Sequence, residues 1–528
     1  MLGVPSPTPR LLPLTGALRS CFLRTGYDTD GVLGLLGPDA HAALGRGEAV
    51  PAERASRGGG ELGTLVRLFL LAMRCPAAEV TRALAPVDVD DAVRAGLLER
   101  VGDGVRTALD VRPFDTGSGT RWLVSDLDGE LREHGVEREH VLGVGQASLS
   151  LLHTVPTAPV ATALDLGTGC GVQAVHVAGH AEHVTATDLS ERALALAAAS
   201  FALNGVDVEL LAGSWFSPVA GRRFDQIVAN PPFVVGMARV QHTYRDSGLD
   251  LDGASELLVR GAPEHLTLGG TATLLASWVH RAGADWRVRV ASWVPAHGVD
   301  AWVVQRDVAD PALYVGTWLR DAGLDPRSPA GVACAEEWLE HLARSGVVGI
   351  GFGYVTLRRT EHPSDVLAED LTQGFDDPLG PETLSYLQRV AWLRGHDLLG
   401  AVFVVSPGTA LARVSLPGPD GGWQEVVIRL HRGNGPEWQH EIDEFGAALV
   451  AGMRRNGLPL GELVALPGAG ARRGRWRAGG WGGRARGGPG AARAGPPGRA
   501  GVIAALSRVR SARVTVDAEW SGPWPVRA

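Results

Sequence analysis

The chain of 528 residues is 45% hydrophobic and 20% charged, with a net charge of −8. That length suits about three domains, each able to bury a core, and the balance is that of a soluble globular protein. Its four cysteines (Cys21, Cys75, Cys170, Cys334) are widely spaced, which argues against a disulfide scaffold or a paired-cysteine metal site and favours reduced thiols in a cytosol.

The first residues, "MLGVPSPTPRLLPLTGALRS", are broken by prolines and lack the apolar core of a secretory signal. Apolar runs such as "LVRLFLLAM", interrupted by Arg67, fall short of a membrane span, so a cytoplasmic protein is expected. No lysine occurs, and we read the use of arginine alone as a coding bias toward GC-rich codons. Twelve of the 50 basic residues, but only two of the 58 acidic ones, lie from Ala471 onward. The preceding body keeps 38 against 56, a charge of about −18, which argues weakly against tight nonspecific binding of phosphate backbones.

Residues 1–135 predict a mostly helical domain. "GELGTLVRLFLLAM" and "AAEVTRALAP" carry apolar residues at helical spacing. "DDAVRAGLLERVGDGVRTALDVRPF" reads as a helix followed by a hairpin turning at Gly104. Helices ahead of a small hairpin are winged-helix-like, which fits a nucleic-acid or partner-docking module. A packing cap is the favoured reading, because no arginine-rich recognition helix is present.

Residues 136–360 alternate strand and helix, the pattern of a parallel sheet covered on both faces. The expected strands are "VATALDL", "HVTATD", "VELLAGS", "FDQIVAN", "TATLLASWV", "AWVVQRD" and, as an edge strand, "GIGFGYVTLRR". "VQAVHVAGHA" and "SERALALAAASFALNG" are helices between them. Residues 361–466 predict a small α+β appendage. Residues 467–528, rich in Gly, Arg, Ala and Pro, predict a disordered tail. That tail has the composition of a nucleic-acid-binding segment. A functionless extension, or a reading-frame slip near codon 466, accounts for its abrupt start better.

"ALDLGTGCGVQA" ends a strand at Asp165 and turns on Gly167, Gly169 and Gly171, with Thr168 and Cys170 between. Glycines suit a turn of unusual dihedrals that a ligand approaches closely. The next strand ends at Asp188, well placed for ribose hydroxyls, and the turn lacks the GxGxxG spacing usual for pyrophosphate. These residues resemble the class I S-adenosylmethionine-dependent methyltransferases. The resemblance implies a Rossmann-like seven-stranded sheet, with the 167–171 backbone beside the methionine part of S-adenosylmethionine and Asp188 on the ribose. His176, His180 and His183 would share one helical face at i, i+4, i+7; ordinary packing or surface histidines are favoured over a metal site.

"FDQIVANPPFVVG" follows one strand-helix-strand interval later. Pro231 and Pro232 fix their own φ and restrict the residues before them, so the turn is preorganised. The Asn230 side-chain oxygen and the Pro231 carbonyl can accept hydrogen bonds while Phe233 offers a flat face. Together they suit a planar NH2 group. An amide nitrogen shares its lone pair through resonance, the source of the roughly 18–20 kcal/mol rotation barrier. Attack on a sulfonium methyl gives up part of that and builds positive charge on nitrogen. Each acceptor aimed at the N–H groups contributes about 3–4 kcal/mol by analogy with oxyanion-hole donors, and alignment up to roughly 7–11 kcal/mol. No ionised base is required before transfer.

From Leu164 onward, about 90 residues resemble the release-factor glutamine methyltransferases, the HemK/PrmC-like family. There a Trp-Phe pair follows the third strand, as Trp215–Phe216 does here. The resemblance implies that Trp215 borders adenine and that Asn230–Phe233 bind a glutamine amide. Ser214 departs from the family's acid before the Trp, and "HVLGVGQASLSLL" lacks its proline-arginine-proline pattern. Similar NPPF or NPPY motifs serve adenine-N6 and guanine-N2 methyltransferases of DNA and RNA. The sequence therefore favours a protein substrate connected with translation, methylated on glutamine, with an RNA or DNA base as the alternative. A small-molecule substrate, a non-catalytic cofactor-binding scaffold and an activator subunit stay open.

Overall fold

The computed structural model describes residues 8–117, 119–128, 139–238, 246–371, 374, 378–433, 435–466 and 516–517. The chain divides into two compact units, Met1–Thr372 and Gln373–Ala528. Apart from Val516 and Asp517, the segment expected to be a disordered tail lies outside the described residues.

The first unit is organised around one eight-stranded sheet. In chain order its strands are β1 (Val160–Leu166), β2 (Ala181–Asp188), β3 (Val208–Ala212), β4 (Phe224–Ala229), β5 (Leu266–Arg281), β6 (His297–Ala309), β7 (Val347–Pro363) and β8 (Asp365–Asp370). They lie in the order β8-β6-β7-β5-β4-β1-β2-β3. β7 runs antiparallel to β5 and β6, and the remaining pairs are parallel. The direction of winding reverses between β1 and β4, where open sheets of this kind leave a crevice at the carboxyl ends of the strands.

The apolar runs explain the sheet. Leu164, Ile227, Leu274, Val303 and Val355 come from five neighbouring strands and share one core cluster. Removing one such side chain to Ala typically costs about 2–5 kcal/mol. Between strands stand α1 (Gln146–Thr154) ahead of β1, α2 (Val172–Val177), α3 (Glu191–Asn204), α4 (Gly253–Gly261) and α5 (Trp286–Ala291). A helical pair, α6 (Pro311–Asp321) and α7 (Pro329–Arg344), connects β6 to β7. α3 begins at Ser190, whose hydroxyl accepts from Ala193 N, and ends at Gly205 in the left-handed region.

Four expectations need correction. "GIGFGYVTLRR" belongs to an inner strand, since β7 pairs with β5 on one side and β6 on the other. Its glycines answer to close approach: a Cβ at Gly351 would fall 2.4 Å from Trp278 Nε1. The edge is β8, an eighth strand beyond the expected seven, which lies in the stretch assigned to the appendage. The helix after the glycine turn stops at Val177, so His183 sits on β2 opposite Thr162 and shares no helical face with His176.

Before the sheet come helices including Thr15–Thr25 and Thr29–Gly45, then two hairpins. In the first, Leu98–Val101 pairs with Gly104–Thr107, which also pairs with Cys75–Pro76. The turn falls at Gly102–Asp103, one step before the expected Gly104, and Gly102 carries the positive φ of 61°. The second, Leu109–Asp115 with Thr120–Asp126, was not anticipated.

The second unit holds the helix Gly380–Gly395 and a three-stranded antiparallel sheet of Thr409–Pro417, Trp423–Arg432 and Gln439–Ile442. Phe403, Met453, Leu460 and Leu463 form its small core.

Candidate active site

The carboxyl ends of β1, β2 and β4 open into a cleft of about 520 Å³. Its walls include Gly167–Cys170, Asp188–Ser190, Gly213–Trp215 and Asn230–Val234. The glycine turn is held from below. Asp165 is 1% exposed, and its Oδ2 accepts from Thr168 Oγ1 at 2.6 Å and from Ala174 N at 3.0 Å. Burial pushes its carboxyl up to about 7, against the opposing pull of those two bonds. Gly171 also stands behind the wall: its φ is 95°, and a Cβ there would lie 2.6 Å from the Phe201 ring. Asp165 and Gly171 therefore shape the turn without lining the cleft.

Gly169 has φ of 55°, and a Cβ built on it would meet nothing within 4 Å. Its N–H donates to Asp188 Oδ2 at 2.9 Å, while Ser190 N donates to Oδ1 at 2.9 Å. Two backbone donors thus fix the Asp188 carboxylate, with lone pairs left on both oxygens. Burial raises its pKa, and those bonds partly restore the ordinary value. Cys170 is buried, which pushes its thiol up to about 12; as a thiol it is no nucleophile near neutral pH.

The Asn230–Phe233 turn adjoins the glycine turn: a Cβ placed on Gly167 would come 4.0 Å from Pro231 Cα. Asn230 Nδ2 donates to Ser148 Oγ at 3.2 Å, leaving Oδ1 as its acceptor. Ser148 is anchored in turn, its carbonyl accepting from Gln173 Nε2 at 2.8 Å. The Phe233 carbonyl accepts from Ser277 Oγ on β5 at 2.6 Å. Next along, Val235 N donates to the Tyr314 hydroxyl at 2.6 Å and its carbonyl accepts from Trp338 Nε1 at 3.2 Å. The turn is consequently bonded to α1, β5, α6 and α7.

Trp215 lines the cleft with φ of 49°, and Ser214 lines it alongside. Phe216 instead stacks on His265, with ring centroids 4.6 Å apart, and packs against Gly261. Sequence reasoning missed Ser148, Gln173, Trp318 and Asp321, all of which line the cleft. The first two carry no signal until the fold brings α1 and α2 against the turn. The last two belong to the β6–β7 connection, whose helices had no expected place. The three histidines form no common site: the rings of His176 and His180 meet edge to face at 5.7 Å, but His183 stands apart on β2. Burial lowers the His176 pKa to about 4, and His180 Nε2 bonds Gln226 Oε1 at 2.8 Å. No cluster of three metal-ligating side chains occurs among the described residues.

A family model described as the methyltransferase small domain matches residues 141–281. Two further models, described only as domains of unknown function, match residues 24–108 and 384–474. Ribosomal RNA small subunit methyltransferase C of Escherichia coli is 37% identical over 137 residues, which is 26% of this chain and 36% of that protein. The chain thus matches about a third of the length of these curated relatives. Among solved structures, a 16S rRNA N2 methyltransferase of T. thermophilus with AdoMet and guanosine is 18% identical over 39% of this chain and 55% of that one, at a TM-score of 0.27. A ribosomal protein L11 methylase of Lactobacillus delbrueckii subsp. bulgaricus is 26% identical over 24% and 57%, at a TM-score of 0.19. Residues 141–281 are a class I, S-adenosylmethionine-dependent methyltransferase domain of the small type.

Proposed function

We propose that this chain is an S-adenosylmethionine-dependent N-methyltransferase whose substrate is the exocyclic amine of an RNA base. One observation carries the chemistry: an acceptor-bearing, proline-stiffened turn stands against the glycine turn, with the Gly167 Cβ position only 4.0 Å from Pro231 Cα. The choice of RNA leans on the relative named as a ribosomal RNA methyltransferase, at 37% identity. The glutamine-amide reading leaned on Trp215 and the acidic body of the chain, and none of the relatives described above is named for that activity, while the rRNA methyltransferase relative supports the base.

The open side of Gly167 and Gly169 and the lone pairs of Asp188 suit S-adenosylmethionine, which supplies an electrophilic methyl on a sulfonium. Gly167, Thr168, Gly169 and Cys170 would cradle its methionine part, Asp188 would hold the ribose hydroxyls, and Ser214 and Trp215 would border the adenine. Asn230 Oδ1 and the Pro231 carbonyl accept the two N–H bonds of the substrate amine, and Phe233 stacks on the base. With the methyl donor bound, the nitrogen lone pair would form the N–C bond as the sulfonium S–C bond breaks and the departing thioether keeps that electron pair. Charge would develop on the amine hydrogens, where both acceptors strengthen. The proton departs after transfer. Ser148, held by Gln173, keeps the Asn230 amide from rotating its donor face into the site.

The walls also carry Asp128, Glu139, Asp246 and Asp321, and no arginine occurs among their described residues. An amine stacked and paired in a duplex cannot reach the Asn230 turn, so the base enters unpaired or flipped from RNA, with its phosphates kept outside these acidic walls. A ribosomal RNA target would place the reaction in the cytoplasm. The test is incubation with isotope-labelled methyl donor and extract from a deletion strain, fractionated into RNA, protein and small molecules. Label in RNA as a methylated exocyclic amine is expected. Label in protein glutamine would replace the substrate class, and label nowhere would leave a cofactor-binding scaffold.

A further inference from the structure

Asp126 ends the second N-terminal hairpin and is 1% exposed. Its carboxylate is shared by two separate walls of the cleft. Oδ2 accepts from Val141 N at 2.9 Å and from Arg192 Nε at 2.9 Å, while Arg192 Nη2 bonds Oδ1. The Asp126 backbone adds a further bond, its N–H donating to the Val141 carbonyl at 3.1 Å. His140 Nδ1 lies 3.7 Å from Oδ2.

The two groups so joined have different addresses. Val141 begins the loop through Gly145 that forms one wall of the cleft. Arg192 belongs to the first turn of α3, next to Leu189, Ser190 and Ala193, which line another part of the cleft, and just after Asp188. A bidentate arginine–carboxylate pair fixes direction as well as distance. Burial would raise the Asp126 carboxyl, but the Arg192 bonds and charge outweigh it and hold the pKa below the ordinary value.

We infer that Asp126 is a positioning residue for the cofactor, supplied by the N-terminal segment, which sets the spacing of the 141–145 loop and the Asp188–Ala193 wall. It touches neither substrate nor reacting atoms. The N-terminal segment is therefore part of the cofactor site and more than a cap over the sheet. This rests on the reading of the cleft as an S-adenosylmethionine site.

The test titrates the full chain with S-adenosylhomocysteine and measures methyl transfer, comparing wild type with Asp126→Asn and Arg192→Gln. Asparagine keeps an acceptor for Val141 N but removes the charge facing Arg192; glutamine leaves the Val141 bond intact. Both variants should bind about tenfold to a hundredfold more weakly, the scale of one lost hydrogen bond to a charged group. The KM for the methyl donor should rise while kcat at saturation stays near wild type, a split that general loosening of the fold would not give. Folded variants that bind within twofold of wild type would overturn the inference. A wild-type chain that binds no S-adenosylhomocysteine would instead refute the underlying reading of the cleft. Should both variants fail to fold, hydrogen exchange of the wild type decides. S-adenosylhomocysteine should slow exchange in Thr120–Asp126 together with Val141–Gly145, and unchanged exchange in the hairpin would overturn the inference.

Discussion

The two N-terminal hairpins are adjacent in sequence and differ in how they are held. Around the first, Arg74 pairs with Asp103, Arg94 with Asp91, Arg100 with Asp90 and Arg106 with Glu99. These pairs join neighbours within the same small lobe, and most are exposed. The second hairpin is built into the methyltransferase domain. Trp122 N donates to Asn204 Oδ1 at 3.0 Å, Asn204 Nδ2 donates to the Trp122 carbonyl at 2.6 Å, and Val124 N donates to Ser200 Oγ at 3.0 Å. Two side chains of α3 thus complete the free edge of a strand, which would otherwise bury unpaired backbone groups. The lesson is that the second hairpin, although it precedes the sheet's own first strand, is joined to the domain through the side chains of Ser200 and Asn204.

That contrast can be broken in graded steps. Trp122 is 4% exposed, packs on Phe22 at 5.7 Å and donates through Nε1 to the Tyr27 carbonyl at 2.6 Å. Trp122→Ala should destabilise the first unit by about 3–5 kcal/mol, read by denaturant unfolding. Asn204→Ala strands the Trp122 N–H and carbonyl and should cost about 2–3 kcal/mol by the same measurement. If that variant is as stable as wild type, the hairpin is not docked through α3.

The buried carboxyls of the second hairpin should also make stability depend on pH. Asp110 is 1% exposed; burial raises its pKa to about 6, against the pull of Arg112. A carboxyl raised in the folded state favours folding below its unfolded value, and that contribution is lost as pH climbs from about 4 to about 6. One such group gives a slope of up to about 1.4 kcal/mol per pH unit, and Asp110→Asn should remove it from the stability curve over that window. Asp126 has the opposite sign. Its lowered folded pKa adds stability above the unfolded value, lost as pH falls through the folded one. The smallest effect belongs to the first hairpin: Arg100→Ala should change stability by less than about 0.5 kcal/mol, and a larger loss would mean that its surface pairs act as a network.

Much of the sheet was legible because its central parallel strands are buried over residues 163–166 and 226–229, where apolar residues predominate. "VATALDL" and "FDQIVAN" end where β1 and β4 end to within a residue. Asp165, Asp188 and Asn230 could be assigned to strand ends for that reason. What failed had a different physical origin. β7 sits inside the sheet, yet its "GIGFG" segment reads as an edge because the bulk that fills the space at Gly351 belongs to Trp278 and Gln305. "DVLAED" became the edge strand β8 through pairing with β6, a partner more than 60 residues away. The second hairpin has alternation too short to separate from its surroundings, and its docking depends on Ser200 and Asn204, polar positions within an alanine-rich helix. Within the site, motif residues were visible, whereas the side chains that aim them, Ser148 and Gln173, acquire meaning only through tertiary contact.

In the proposed reaction, Asn230 acts on the transferring nitrogen and not on cofactor binding. Single-turnover methyl transfer and S-adenosylhomocysteine affinity, measured on the same preparations of wild type and Asn230→Ala, test it most directly. Transfer should fall by about a hundredfold or more while affinity stays within a few-fold. Transfer at the wild-type rate, or equal loss of transfer and affinity in a folded variant, would contradict it.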